Sequence, residues 1–350
     1  MLSTPDPILR AVAVFFFMGL ASTAVSQGSL VELKVNESDR KVQVSIGGKR
    51  FTEYLYPQDL EKPVLYPILT ASGIPVTRGY PLQPRPGERV DHPHHVGMWF
   101  NFGDVNGLDF WNNSFAIPEK EKPHYGRVRH QRILEATGGA EGILKVLSHW
   151  VDHHDKVLLK EVTTFKFRGE GELRIIDRIT VLEAVEPVEF RDNKEGLLAI
   201  RMDRAFEAPV TAPEIFTDAS GKPTTVATMN NEGVNGVYRS STGRVGEAVW
   251  GQRADWVSLT ATKGGEEITV AMIDHPDNYG YPAHWHARTY GLFSVNNIGS
   301  RVFVASDPQQ RFRLGRGQSM TFRHRTIVGP AEIINLRFLD GNSILFRDFR

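Results

Sequence analysis

The 350-residue chain contains no cysteine. That excludes disulfides, thiolate nucleophiles, iron–sulfur clusters and cysteine zinc sites, so any metal must be held by His, Asp, Glu or backbone oxygen. It also lacks an excess of either charge. Lys+Arg and Asp+Glu stand at 41 each, which removes the electrostatic footprint of a nucleic-acid or anionic-membrane binder. No internal repeat and no low-complexity segment is present. After residue 26 no apolar run approaches the roughly 20 residues needed to span a bilayer. Helical periodicity is scarce, while 32 Gly and 20 Pro point to many turns.

What is present begins with a targeting pattern. Residues 1–26 read as a signal peptide: Arg10 is a short positive region, Ala11 to Val25 is apolar or small, and Ala24-Val25-Ser26 supplies small residues for cleavage. The expectation is a secreted or periplasmic protein starting near Gln27, with no membrane insertion after cleavage.

Residues 27–350 read as one all-β domain, a large antiparallel β-sandwich with a short C-terminal helix. Short strands are expected at 31–36, 41–46 and 50–56. Longer ones are expected at 132–136, 144–150, 157–167 and 172–182, and further runs at 256–262, 267–273, 301–305 and 319–327. Val157, Leu159, Thr163, Phe165 and Phe167 share one parity, and Leu173, Ile175, Ile179 and Val181 another. A period of two marks strands with one buried face. The helix is expected after Pro330, through Ala331, Ile333, Ile334, Leu336 and Phe338 to Gly341. Residues 57–122 lack periodicity but carry aromatics that include Trp99, Phe100, Phe110 and Trp111, and a long irregular segment of that kind is typically a functional loop.

Nine of the 12 histidines fall in three clusters. In Asp91-His92-Pro93-His94-His95, an extended backbone would put His92 and His94 on one face. These two and His95 are candidate ligands for a divalent or transition metal. The second cluster, His149, His153 and His154, lies between two expected strands and reads as a solvated turn. In the third, His275 is followed by His284, Trp285, His286 and Arg288. The alternation of His284, His286 and Arg288 puts two imidazoles and a guanidinium on one strand face, costly to bury without a partner. A fourth group, Arg191 to Gly196 with Arg201, reads from residue types alone as an ordinary charged turn.

Together these groups resemble the bacterial PmoA-like family, labelled methane oxygenase but largely uncharacterised. The resemblance runs from about Tyr66 to Val328. It rests on Tyr66-Pro67, Thr77-Arg78-Gly79-Tyr80-Pro81, Asp91 to Trp99, Gly103 to Trp111, Asp192 to Gly196 with Arg201, Arg253 to Trp256, Asp274-His275-Pro276, and His284 to Arg288 leading into Tyr290 to Phe293. It implies a supersandwich fold like that of sugar mutarotases, and it raises Lys194, Glu195 and Arg201 to site candidates.

The expected function is a carbohydrate-active hydrolase, lyase or epimerase. In it, His286 and Glu195 exchange protons with a sugar or other small-molecule substrate, aided by His284. Arg201 and Arg288 would stabilise charge. Arg78, Lys194 and His275 would bind substrate beside the flat faces of Trp99, Trp111 and Trp285. A noncatalytic glycan-binding protein and a His-ligated, metal-dependent oxidoreductase are the alternatives.

Overall fold

The computed structural model describes residues 1, 29–210, 214–218, 222–226 and 230–349. Residues 2–28, which hold nearly all of the expected signal peptide, lie outside the described residues. Among the described residues no helix is long and apolar enough to cross a membrane.

Eight strands form one antiparallel sheet, in the order β1 (Val31–Asn36), β2 (Lys41–Ile46), β3 (Lys49–Leu55), β4 (Val64–Leu65), β5 (Met98–Phe102), β11 (Gly196–Arg201), β18 (Leu292–Asn296), β17 (His284–Arg288). A second has the order β14 (Val237–Ser240), β15 (Trp256–Lys263), β16 (Glu266–Asp274), β20 (Ser319–Pro330), β9 (Leu173–Ala184), β8 (Val157–Glu170), β7 (Gly142–Val151), β6 (Arg127–Thr137). Two short antiparallel pairs complete the strands among the described residues: β10 (Val188–Arg191) with β19 (Arg311–Leu314), and β12 (Glu214–Thr217) with β13 (Pro223–Val226).

The two large sheets share one core. Phe100, Phe102, Ile200, Phe293 and Trp285 of the first join Leu144, Leu159, Phe165 and Phe322 of the second. Each such side chain contributes about 1.5–3 kcal/mol on burial. Because strand side chains alternate, the same strands send the intervening residues to the opposite face. Trp99, Ala199, Ser294 and His286 stand in one cross-strand row, and Arg201, Leu292 and Arg288 in the next. This outer face carries the candidate site.

Three expectations need correction. On β9 the core-facing residues are Ile176, Arg178, Thr180 and Leu182, while Leu173 and Ile175 pack on the far side beneath the C-terminal helix. The apolar parity was misleading because the core here is partly ionic. Arg178 Nη2 is 2.7 Å from Glu161 Oε1, and Trp150 Nε1 donates to Glu161 Oε2 at 2.7 Å. The guanidinium lies over the rings of Phe100 and Phe165, 4.8 and 4.9 Å from their centres.

Residues 301–305 form no strand. Asp192 takes the N–H groups of Ser300 and Arg301 at 2.8 and 2.9 Å and winds the segment into a turn that aims Phe303 at His284. The helix, α1 (Leu336–Phe346), starts later than expected. Pro330 is still paired with Ile268 in the sheet, and Asn335 is the N-cap, its side chain accepting from the Phe338 N–H at 3.1 Å. Gly341 is therefore inside the helix.

The ionic core gives a stability prediction. Arg178→Ala leaves the Glu161 carboxylate unneutralised and should cost about 3–5 kcal/mol in denaturant unfolding, whereas Arg178→Met combined with Glu161→Leu should recover most of the loss. A single variant no less stable than the double would contradict it.

Candidate functional site

Two buried arginines and one carboxylate organise the outer face. Arg78, from the segment between β4 and β5, and Arg201, at the end of β11, both donate to Asp91 Oδ1, at 2.6 and 2.7 Å. The Arg78 guanidinium also takes the carbonyls of Arg89, Asp91, His92 and His95, which fastens the histidine motif to the sheet. Burial opposes ionisation of Asp91, but Arg201, the His92 hydrogen bond and Arg78 outweigh it and hold the carboxyl well below the usual carboxylate range.

Asp91 Oδ2 lies 2.7 Å from His92 Nδ1. A carboxylate only accepts, so the proton of the neutral ring sits on Nδ1 and the lone pair on Nε2. His92 has φ +43°, in the left-handed region, and its carbonyl accepts from the His95 N–H at 2.9 Å. This left-handed turn swings the ring outward, leaving 40 % of it exposed. Such strained positions persist only where the surroundings impose them. Gly97, at φ +55°, completes the entry to β5; a Cβ there would meet the Leu65 carbonyl at 2.3 Å.

Behind His92 stand rings that are not reachable. His95 stacks on His92 at 4.7 Å and on Trp99 at 5.2 Å, with Trp111 edge-on at 5.9 Å. Arg201 Nη1 approaches His95 Nδ1 at 3.1 Å. A guanidinium cannot accept, so His95 carries its proton on Nε2 and has no lone pair left for a ligand. His94 is pushed down to about 2 by burial and the Lys62 charge.

On the other side of His92, Glu195 and His286 meet. His286 Nδ1 is 3.1 Å from the Lys194 carbonyl and 3.7 Å from Glu195 Oε2, so its proton also sits on Nδ1. Burial and the charges of Arg288 and Lys194 depress it to about 3. Burial raises Glu195 above its ordinary value, partly offset by Lys194, whose Nζ is 3.6 Å from Oε1. A positive charge on His92 would lower both groups. Room for Glu195 comes from Gly103, where a Cβ would sit 2.8 Å from the glutamate Cβ. Tyr290 stacks on His92 at 5.1 Å, and exposed Arg288 lies 5.7 Å from the ring centres of both Tyr290 and Trp250.

The first and fourth motifs therefore converge with His286 and Arg288 of the third. Other expectations fail on position. The motif 91–95 is a turn rather than an extended strand, so the His92 and His94 rings sit edge to face at 5.5 Å. Among the described residues no three His, Asp or Glu side chains are disposed to hold a metal ion, and two guanidiniums flank the motif. The residues do not fit a metal centre. Trp99, Trp111 and Trp285 are fully buried and offer no face to a ligand; Trp285 is in the core and donates to the Ala254 carbonyl at 2.9 Å. Arg78 is equally buried and serves the protein's own backbone. His275 lies against Phe346 of α1, on the far side of the second sheet. His284 faces the same way as His286 but has other partners, Gly251 and Asp307. His153 and His154 occupy the turn between β7 and β8. Asp91, Tyr290 and Trp250 were missed as site residues; the Asp-His dipeptide was the available signal for the first.

The profile of a family described as a "Family of unknown function (DUF6807)" matches residues 41–335, most of the chain. The chain belongs to the DUF6807 family. No curated protein matches this DUF6807 member. Among solved structures it is similar to the GH36 α-galactosidase AgaB from Geobacillus stearothermophilus (10 % identity, TM-score 0.38) and an α-galactosidase from Lactobacillus brevis (8 %, 0.42). The overlaps cover 84 % and 85 % of this chain but only 40 % of each enzyme. The Slr1438 protein from Synechocystis sp. PCC 6803 aligns over 86 % of this chain and 96 % of its own, at 10 % identity and TM-score 0.32. Likeness this loose carries no argument about the site.

The electrostatics of His286 can be checked directly. Its ring resonances in a site-assigned NMR titration should stay those of a neutral, Nδ1-protonated imidazole throughout about pH 5 to 8. A protonation step for His286 inside that window would contradict the geometry described.

Proposed function

We propose that this DUF6807 member is an exported carbohydrate-active enzyme in which His92 is the general base and Glu195 the general acid. The observation that carries the reading is the Asp91–His92 pair. Asp91, anchored by two arginines, fixes one imidazole tautomer and leaves the Nε2 lone pair on an exposed ring. That arrangement orients a base and stabilises the imidazolium formed when it takes a proton. Glu195, raised by burial, keeps its proton to higher pH than an ordinary glutamate, as a proton donor requires.

His286, neutral at ordinary pH, is a hydrogen-bond acceptor for a substrate hydroxyl rather than an acid or base. Arg288 and Lys194 sit at the rim for hydroxyls or a carboxylate, and Tyr290 with Trp250 form the aromatic surface beside them. Arg201 acts through Asp91. In hydrolysis, His92 takes a proton from water as Glu195 gives one to the departing oxygen. In elimination or epimerisation, His92 takes the proton from a ring carbon instead.

The carbohydrate assignment is supported by the resemblance of the motifs to the PmoA-like family and its mutarotase-like relatives. Export is supported by the pattern of residues 1–26. A purely binding protein would be expected to present its tryptophans, and five of the six are fully buried. A metal-dependent oxidoreductase would need several convergent ligands, but Arg201 occupies the His95 Nδ1 lone pair and among the described residues no three His, Asp or Glu side chains are disposed to hold a metal ion.

Turnover, screened on free aldoses and on aryl glycosides, should fall about 10²–10⁴-fold in His92→Ala and in Glu195→Gln. A general acid works only while protonated, so the wild-type rate should decline as pH rises through the Glu195 pKa, and Glu195→Gln should lose that alkaline limb. Unchanged turnover in both variants would sink the assignment.

A further inference from the structure

A cavity of about 580 Å³ opens beside His284, one step along β17 from His286. The two imidazoles project from the same strand face, roughly 7 Å apart. Phe303 joins the two environments: it stacks on His284 at 5.1 Å and meets His286 and Trp250 edge-on at 6.2 and 5.8 Å. The cavity and the Glu195 site therefore lie along one strand, separated by the thickness of an aromatic ring.

The lining is built rather than incidental. His284 is 2 % exposed, and its Nδ1 is 2.7 Å from the Gly251 carbonyl, which only accepts. The proton is on Nδ1, and Nε2, with no hydrogen-bond partner, carries a buried lone pair at the cavity. Asp307 Oδ2 is 3.6 Å from that nitrogen and 4.0 Å from Arg253 Nη2. Arg253 is held rigid, since its Nη1 donates to the Gly280 and Pro282 carbonyls at 3.0 and 2.8 Å. Arg244 and Gln252 complete the polar wall.

This donor and acceptor pattern selects among ligands. An anion would face a carboxylate and an imidazole lone pair, neither of which can donate to it. A metal ion would find two ligands and two neighbouring guanidiniums. A polyhydroxylated ring suits both halves: hydroxyl protons go to His284 Nε2 and Asp307, while hydroxyl oxygens accept from Arg253 and Arg244. We infer that this cavity is a second sugar subsite, so that the substrate of the Glu195 site is a disaccharide or longer glycoside rather than a free monosaccharide. The inference rests on the carbohydrate reading above.

The test is calorimetric binding of monosaccharides and matched disaccharides (glucose with maltose and cellobiose, galactose with melibiose and lactose) to wild-type protein and to Glu195→Gln, which is not expected to consume them. At least one disaccharide should bind roughly tenfold or more tighter than its monosaccharide, a gain of about 1.4 kcal/mol. Asp307→Asn and the exposed-site change Arg244→Ala should each remove that gain and leave monosaccharide binding as it was. Equal affinity for both sizes, or a gain that survives both substitutions, overturns the subsite alone. Failure of every sugar to bind overturns the carbohydrate reading and the subsite with it.

Discussion

The candidate site depends on one buried carboxylate. Asp91 stands where Arg78, Arg201 and His92 meet: two partners belong to its own segment and the third, Arg201, comes from β11, 110 residues along the chain. Two guanidiniums placed together on the outer face of a sheet would repel one another; the carboxylate between them makes the arrangement tolerable. Its remaining oxygen is then available to a single histidine. The loop that carries Asp91 is in turn tied down by the carbonyls that Arg78 collects, so anchoring the loop and orienting the imidazole are one event.

The same economy runs through the sandwich. Both faces of β5, β11, β18 and β17 are covered, the inner one by the shared core and the outer one by loops and buried polar groups. Arginine pairs recur as solutions to this double burial: Arg178 with Glu161 between the sheets, Arg325 with Asp177 on the far side, Arg89 with Glu207 beside the site. Removing one partner of such a pair is costly, while the pair itself contributes little net stability, so their value lies in specifying geometry. At Asp91 that specificity is exported to a reactive ring.

Burial also sorts the histidines by what they can do. His95 and His286 are enclosed and flanked by positive charge, which keeps them neutral. His92 shares their neighbourhood but is swung outward by its own left-handed backbone. His284, on the same strand face as His286, opens on a different cavity with a carboxylate opposite. Three of these four rings hold their proton on Nδ1 and only His95 holds it on Nε2; they are distinguished by the partner of each Nδ1 and by what each Nε2 faces.

Much of the architecture was legible in the residues themselves. Alternation of β-branched and aromatic side chains located most of the long strands, and the parity of His284, His286 and Arg288 against Trp285 correctly separated the outer face from the core. These are local properties, since a strand's period of two is written in adjacent residues. The reading went astray wherever a distant partner decided the outcome. Arg178 faces the core because Glu161 is there to meet it, and residues 301–305 turn because Asp192 captures their N–H groups. The tryptophans looked like platforms until loops closed over them, and His92 and His94 looked like paired ligands until a left-handed turn set their rings apart. Sequence by itself determined which elements form and which residue types are available for chemistry. Only the tertiary structure decided which of them meet, because the hydrogen-bond partner that assigns an imidazole its proton, and the burial that moves a carboxyl's pKa, come from distant segments, 106 residues away for Arg201 and His95.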